Sequence, residues 1–161
     1  MASGKSIQPT KYAQHKYNLT KPIDFEVGVK YAQVLMAIAG ADGELAAGEL
    51  QWYIDEQELL MDDATEYIEA VRKLDWKNAD IEELLSGIKY DFPLNFRRTL
   101  LYQAIKMCRA DGTYHAKEKT SVAKAAELLG IDRSMVVSLA SLAELEEAAE
   151  RLRLALFEKA V

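Results

Sequence analysis

Two short acidic segments contain the residues whose types and spacing could bind a cation. The sequence reads ADGELAAGE from residue 41 and ADGTYHAKE from residue 110. In each segment an Asp-Gly pair is followed, after five residues, by a glutamate, which pairs Asp42 with Glu49 and Asp111 with Glu118. Carboxylate oxygens suit hard divalent cations such as Ca2+ or Mg2+, and the neighbouring His115 would admit Zn2+. Each turn is therefore expected to supply two ligands for a metal ion.

Each segment matches only the second half of an EF-hand loop, in which glycine permits a sharp bend and glutamate gives two oxygens. Ile38 and Gly40 in the first segment, and Met107 and Arg109 in the second, stand where the first half would need acidic residues. A complete site would thus need ligands from another turn. The alternative is a joint between two helices, because glycine ends helices and glutamate suits a first helical turn.

The two segments belong to a longer internal repeat with an offset of 69 residues. At this offset residues 35–38 align with 104–107, and residues 58–60 align with 127–129. Each unit is a helix, an ADG turn and a second helix. A single helical hairpin buries little surface alone, so the two hairpins are expected to pack together.

The elements that must position these turns are helices. From residue 24 onward apolar residues recur at three- and four-residue steps, and no useful length alternates with period two. Helices are expected at about residues 24–40, 46–60, 63–74, from 80, 93–109, 116–129 and 133–159. The last is expected to turn these residues inward: Val136, Leu139, Ala143, Leu152 and Leu156. The pattern predicts an all-α fold, a single domain of about seven helices built on two related hairpins.

Composition excludes several classes of function. A chain of 161 residues, half of them hydrophobic, can build one domain with a substantial core. The net charge of −6 argues against nucleic-acid binding, which needs a basic face. No apolar run approaches the ~20 residues that span a bilayer. The only cysteine, Cys108, cannot form an internal disulfide, which is typical of cytoplasmic proteins. We expect its thiol to be buried and inert, although a soft metal ligand is the alternative.

Residues 1–23 differ from the rest of the chain because they contain four lysines and no acidic residue. The segment is polar, with Pro9 and Pro22 and no sustained apolar period. It is predicted to be an extended basic arm that precedes a helical domain of residues 24–161. The arm could contact a membrane surface or a partner. The alternative is a tail that stays solvated or packs against its own acidic body, since four lysines are few for a stable anchor.

The doubled ADG-x5-E pattern, whose second copy continues to AAELLGID, resembles the TerB family of tellurite-resistance proteins. Similar turns occur in the N-terminal region of certain membrane-tethered DnaJ-type co-chaperones. The resemblance covers roughly residues 27–145. It implies an all-helical cytoplasmic domain, peripheral at the inner face of the membrane, that works with an integral membrane Ter-type partner in stress and metal-ion responses. It also implies metal ligation by Asp42, Glu49, Asp111 and Glu118. The sequence departs from the family where AAG and HAK replace the usual Ser or Thr and Pro before the glutamate.

Three classes of function stay open on these residues. A metal-binding module without catalytic activity predicts shared oxygen ligands at the turns. A pure interaction adaptor, similar to a co-chaperone, predicts no cation dependence and an exposed apolar patch of roughly a few hundred Å2. An enzyme built on paired carboxylates predicts a deep pocket that holds them. The sequence has no nucleophile with a placed histidine, no HExxH and no glycine-rich phosphate loop, so we expect no catalytic activity.

Overall fold

Helices account for most of the chain. The computed structural model describes residues 4–41, 43–91, 94–110, 112 and 114–158, with only the helical backbone described for 87–91 and 94. The described elements are β1 (Ser6–Ile7), α1 (Lys11–Tyr17), β2 (Ile23–Asp24), α2 (Phe25–Ala39), α3 (Ala47–Leu60), α4 (Thr65–Arg72), α5 (Ile81–Asp91), α6 (Leu94–Arg109), α7 (Ala116–Leu129) and α8 (Arg133–Leu156). The predicted all-α fold is therefore confirmed.

Local capping chemistry explains where the helices begin and end. Asp24 accepts a hydrogen bond from the Val27 N–H at the start of α2, with an O–N distance of 3.2 Å. Asp132 does the same for the Met135 N–H of α8 at 2.8 Å. Gly130, with φ 71°, ends α7 in the left-handed conformation that glycine adopts without steric cost. These signals lie in the sequence, and the observed bounds of α2 to α8 agree with the predicted ones to within a few residues.

The core forms around α2 and α6. α2 contacts α4, α5, α6 and α7, whereas α6 also contacts α3, α7 and α8. Leu35 and Ile38 of α2 and Leu101 and Ile105 of α6 are fully buried. Because these two helices are packed on several sides, the second half of α2 is a nearly continuous apolar run, and residues 100–108 of α6 are all buried. The two acidic turns follow the C-terminal ends of these central helices.

The same local geometry occurs at both turns. α2 and α6 begin 69 residues apart, and so do α3 and α7. Gly43 has φ 95° and Gly112 has φ 86°, a region that residues with a Cβ rarely adopt. Both turns thus use glycine to leave the first helix of the hairpin. Superposition of the two complete hairpins stays a prediction.

Gly40 permits a close approach at the end of α2. A Cβ added there would lie 2.2 Å from Cζ3 of Trp76, far inside van der Waals contact. The indole of Trp76 packs against the core in the segment between α4 and α5. The missing side chain at Gly40 therefore lets the end of α2, just before the first acidic turn, lie against this ring.

The N-terminal segment is not an extended arm: it contains a strand and a helix, and it packs against the acidic body as the alternative interpretation held. β1 pairs antiparallel with β2, and α1 places Ala13 in the core. Two of the four lysines find acidic partners on the body: Lys16 Nζ lies 3.1 Å from Glu56 Oε2, and Lys5 Nζ lies 2.6 Å from Glu66 Oε1. Packing against the acidic body outweighs the low local apolar content of the segment. The division of the chain at residue 24 stays a prediction.

The second half of α8 also differs from the prediction. Val136 and Leu139 are partly buried and Ala143 is fully buried, as expected. Leu152 and Leu156, which were expected to turn inward, are 62% and 71% exposed. All residues from 148 to 158 are exposed. Periodicity gives the apolar face of a helix, but it does not show where the body beneath that face ends.

Candidate metal centre

Each acidic turn leads to a glutamate in the first turn of the following helix. Glu49 is the third residue of α3, and Glu118 is the third residue of α7. Glu49 Oε1 accepts a hydrogen bond from the Ala46 N–H, and Glu118 Oε1 accepts one from the His115 N–H, both at 3.0 Å. Each glutamate thus satisfies a backbone donor just before its own helix, which is the glutamate half of a capping box. This bond holds the carboxylate against the turn and uses one of its two oxygens.

The fold brings the two glutamates together, beside Cys108 of α6. One carboxylate oxygen of Glu49, one of Glu118 and the Cys108 Sγ all lie within 4.8 Å of one another. All three side chains are buried. Since Ca2+–oxygen distances are about 2.4 Å, atoms up to about 4.8 Å apart can contact one ion, and small rotations would suit the shorter zinc bonds. The second half of each acidic segment therefore contributes to one cluster.

The burial of Glu118 suits a cation ligand. This residue is 0% exposed, and its Oε2 has no hydrogen-bond partner within the described part of the chain. A buried carboxylate oxygen normally accepts hydrogen bonds or binds a cation, because desolvation of the charge is otherwise unfavourable. Two ionised carboxylates at this separation would also repel each other. A divalent cation between Glu49 and Glu118 would satisfy the oxygen and remove the repulsion, so the residues fit a metal.

The other predicted ligands are placed differently. Asp42 and Asp111 lie outside the described residues. His115 precedes α7, its side chain is exposed, and it does not belong to the described cluster. Cys108, expected to be inert, does belong to the cluster. At the offset of 69 residues its counterpart is Ala39, so the thiol occurs in one half of the repeat only, and the spacing of the acidic residues gave no signal for it.

Tyr114 adjoins the cluster from the loop before α7. Burial raises the pKa of the Tyr114 hydroxyl, and Cys108 and Glu118 raise that pKa further, whereas Arg109 opposes them. The hydroxyl therefore stays protonated at neutral pH and adds no charge. The cations of Arg109 and Lys119 lie 5.8 Å and 5.3 Å from the centre of the Tyr114 ring. Tyr114 thus lies near two cations at the edge of an acidic cluster.

A cavity of about 90 Å3 lies elsewhere, between the N-terminal segment and the helices α2, α3 and α6. Tyr17, Tyr31, Tyr53 and Tyr67 line it, and no carboxylate does so among the described residues. Tyr53 and Tyr67 share a hydroxyl–hydroxyl hydrogen bond of 2.8 Å, and the Tyr67 hydroxyl donates to the Gly28 carbonyl. Among the described residues, this cavity therefore lacks the carboxylate pair that the hypothesis of a carboxylate-based enzyme predicts.

An all-helical fold with two acidic turns is the class of protein that this structure defines. Comparison with models of known families identifies the family. The family model described as "Tellurite resistance protein TerB" matches residues 51–141, more than half of the chain. This chain therefore belongs to the TerB family. The match includes the second acidic segment, whereas the first precedes it.

One solved structure shows the same fold. It is described as a tellurite resistance protein from Nostoc punctiforme PCC 73102, with a TM-score of 0.73 and 24% sequence identity, and the alignment covers 92% of this chain and 91% of that one. A comparison with curated proteins gives no match. Within the described residues, none of the helices is both long enough and apolar enough to span a membrane.

Proposed function

We propose that this protein is a non-enzymatic, cytoplasmic module of the tellurite and metal-stress response that binds a divalent cation between its two acidic turns. The observation that supports it is the buried cluster of Glu49, Glu118 and Cys108. Membership of the TerB family supports the tellurite-resistance context. Docking to an integral membrane Ter-type protein, at the inner face of the membrane, is part of the proposal and follows from the family resemblance.

The proposed site is shared, with one ion held by both turns. Glu49 and Glu118 each use Oε1 to cap a helix, and the Glu118 Oε2 has no hydrogen-bond partner within the described part of the chain. Asp42 and Asp111, which lie seven residues before Glu49 and Glu118 in the sequence, are the further proposed ligands. An oxygen-only set would favour Ca2+ or Mg2+, whereas thiolate ligation by Cys108 would favour Zn2+. The closeness of the Cys108 Sγ therefore makes Zn2+ the first metal to test.

The test is thermal melting of the metal-free protein over a concentration series of Zn2+, Ca2+ and Mg2+. A cation that binds only the folded state stabilises it by RT ln(1 + [L]/Kd), about 2.7 kcal/mol at 100 times Kd. At least one cation should raise the melting temperature of the wild type, and the rise should be much smaller in Glu118→Gln. Glutamine keeps the oxygen that accepts from the His115 N–H, so folding should survive the change.

The matched control is Glu127→Gln, an exposed glutamate of the same helix outside the cluster, which should gain as much as the wild type. The double variant Asp42→Asn/Asp111→Asn tests the two aspartates in the same way. If no cation raises the melting temperature of the wild type, or if Glu118→Gln gains as much as the wild type, the turns are only joints between helices.

The second candidate is the interaction adaptor, and a specific observation favours it. Several leucines of α8 are exposed, including Leu145, Leu152 and Leu156. An adaptor would bind a partner through such a face and would show no dependence on cations. If binding of the membrane partner is unchanged when a chelator removes metal ions, the result supports the adaptor over the metal-binding module.

A further inference from the structure

Beyond Glu147, which forms an ion pair with Arg109 of α6, α8 leaves the body of the protein. Every residue from 148 to 158 is exposed, although α8 continues as a helix to Leu156. Isolated helical segments of this length are marginal in water, because helix stability in proteins comes mostly from the packing of an apolar face. A helix that continues about two turns beyond its own body therefore offers a surface for another chain.

Five apolar residues of α8 lie along one face at the spacing of a coiled-coil seam, whereas the exposed Leu154 lies on another face. Steps of three and four residues along one face connect Leu142, Leu145, Ala149, Leu152 and Leu156. Such steps place the residues at successive a and d positions of a heptad. Leu145, Leu152 and Leu156 are 69%, 62% and 71% exposed. The seam lies away from the buried Ala143, so α8 can keep its contacts with α6 and α7 while the seam pairs with a second helix.

The charges on α8 indicate what kind of surface the seam meets. Four glutamates lie between residues 144 and 150, whereas Arg151 and Arg153 follow them. A helix that lies on an anionic membrane surface carries mainly Lys and Arg on its polar face, and the glutamates here would be repelled. An acidic stretch followed by a basic end is instead complementary to a copy of itself that runs in the opposite direction.

We infer that the seam of α8, residues 142–156, pairs with the same seam of a second copy of this chain in an antiparallel coiled coil. In this register Leu145 lies beside Leu156 of the second copy, and Ala149 lies beside Leu152 of the second copy. The small side chain of Ala149 allows the helices to approach closely near the twofold axis. The same register brings Arg153 beside Glu146 of the second copy, and the symmetry repeats the ion pair.

The area of the seam determines how stable this dimer is. Its exposed side chains offer on the order of 500 Å2 per copy, about 1,000 Å2 in total, at the lower end of specific interfaces. Parallel pairing would bury the same leucines but would place the two acidic stretches at the same level and would lose the pairing of Arg153 with Glu146. The antiparallel dimer is therefore the favoured pairing, and its small area predicts a weak dimer.

The first test is sedimentation of the full chain at concentrations from about 1 to 200 µM, a range that brackets micromolar dissociation. The wild type should change from monomer to dimer across this series. Leu145→Glu/Leu152→Glu should raise the dissociation constant by about 100-fold or more, since charges in a leucine seam remove its apolar contacts. Leu59→Glu is the matched control, because Leu59 is 54% exposed on α3, away from the seam, and should leave dimerisation unchanged.

The second test determines the direction of the helices by disulfide formation. Ala148→Cys and Ala155→Cys replace exposed residues that flank the seam. An antiparallel pair should link 148 to 155 when the two variants are mixed and oxidised, with little 148-to-148 product. Three results would overturn the inference. The wild type could be monomeric at every concentration, Leu145→Glu/Leu152→Glu could leave the dimer intact, or the 148-to-148 product could dominate. A monomer that binds phosphatidylglycerol vesicles through Leu145 and Leu152 would assign the seam to a membrane instead.

Discussion

Cys108 is the residue that decides which metal the proposed centre prefers. Its thiol lies with two carboxylates in a buried cluster, and thiolate selects zinc over calcium or magnesium. We expect Cys108→Ser to reduce the melting-temperature gain from Zn2+ to less than half, while any gain from Ca2+ is unchanged. Each gain is measured against the same variant without metal, so the destabilisation that a buried hydroxyl itself causes is removed from the comparison.

Equal loss of the Zn2+ and Ca2+ gains in Cys108→Ser would show that the residue supports the packing of the site and does not bind the metal. Cys108→Ala is the second variant, because it avoids the buried hydroxyl. A Zn2+ gain that survives in both variants would assign the site to oxygen ligands alone.

Gly40 gives a second test at the scale of single residues. A Cβ at this position would lie 2.2 Å from the Trp76 ring, so Gly40→Ala forces the indole or the end of α2 to move. We expect a loss of about 1–3 kcal/mol in the free energy of unfolding, the usual cost of overpacking. Urea denaturation measures it.

The matched control is Gly48→Ala in the first turn of α3, where a Cβ meets nothing within 4 Å. Alanine is the better helix former, so this variant should be neutral or more stable. Equal stability of Gly40→Ala and the wild type would contradict the close approach of Trp76.

The residues of the site were only partly predictable. Spacing and residue type identified Glu49 and Glu118, because a repeated Asp-Gly-x5-Glu pattern is visible in one sequence. Their contact with Cys108 depends on how α3, α6 and α7 pack, which no local pattern encodes. The hydrogen bonds from Ala46 and His115 were missed for another reason: a glutamate in a first turn was interpreted only through the helix dipole.

At the scale of elements, α1 is held to α3 by one partly buried ion pair. Lys16 Nζ lies 3.1 Å and 3.2 Å from the two carboxylate oxygens of Glu56, whose side chain is almost fully buried. Lys16→Met would leave that carboxylate without its cation, and the Tyr12 hydroxyl would be its remaining described donor. We expect a loss of about 2 kcal/mol in the free energy of unfolding, below the usual 3–5 for a fully buried pair.

Lys21→Met is the control for this prediction, since Lys21 is an exposed lysine of the same segment. The double variant Lys16→Met/Glu56→Gln should recover part of the loss, because no uncompensated charge remains. Chemical denaturation of the four proteins gives the comparison. A Lys16→Met protein as stable as Lys21→Met would show that the segment is held by its apolar contacts and backbone hydrogen bonds alone.

The start of α8 should show a defined dependence on pH. The Met135 N–H holds the pKa of Asp132 below its usual value, and the Ser134 hydroxyl adds to this effect. A carboxylate with a lowered pKa in the folded state stabilises the fold above the unfolded value of about 3.9, and this contribution is lost as the pH falls through the folded pKa. Between pH 7 and pH 2 the wild type should therefore lose more stability than Asp132→Ser, which keeps a cap without a charge.

Melting temperatures of the wild type and Asp132→Ser across this pH range give the measurement, and groups common to both proteins cancel in the difference. Parallel curves for the two proteins would contradict the role given to the Asp132 carboxylate.

Most helices were predictable, because their signals are local. Regular apolar steps located α2 to α8 within a few residues, and the observed caps at Asp24 and Asp132 and the stop at Gly130 are residue types typical of those positions. α1 (Lys11–Tyr17) was missed because a helix of seven residues is too short to show a recognisable apolar period. Its stability also depends on contacts with α3, which the local sequence does not show. The outer half of α8 was assigned to the core for the opposite reason: its leucines repeat correctly, but they face solvent or a second chain.

At the scale of the whole molecule, the proposed metal centre joins elements that are distant in sequence. Cys108 lies in the central helix α6, and Glu49 and Glu118 come from α3 and α7, which both pack against α6. A cation there would couple the two halves of the repeat, so it should stabilise the whole fold cooperatively rather than one turn. The α8 seam uses none of these residues, and loss of the dimer should leave metal binding unchanged.

The number of metal ions bound per chain tests the central claim most directly. Metal-free protein is dialysed to equilibrium against Zn2+ and, separately, Ca2+, and bound metal is quantified against protein. A shared site predicts one ion per chain in the wild type and in Glu127→Gln, and none in Glu49→Gln/Glu118→Gln, which keeps both helix-capping oxygens. Two ions per chain, or one ion that the double variant still binds, would contradict a single site between the two turns, and no bound ion would contradict metal binding altogether.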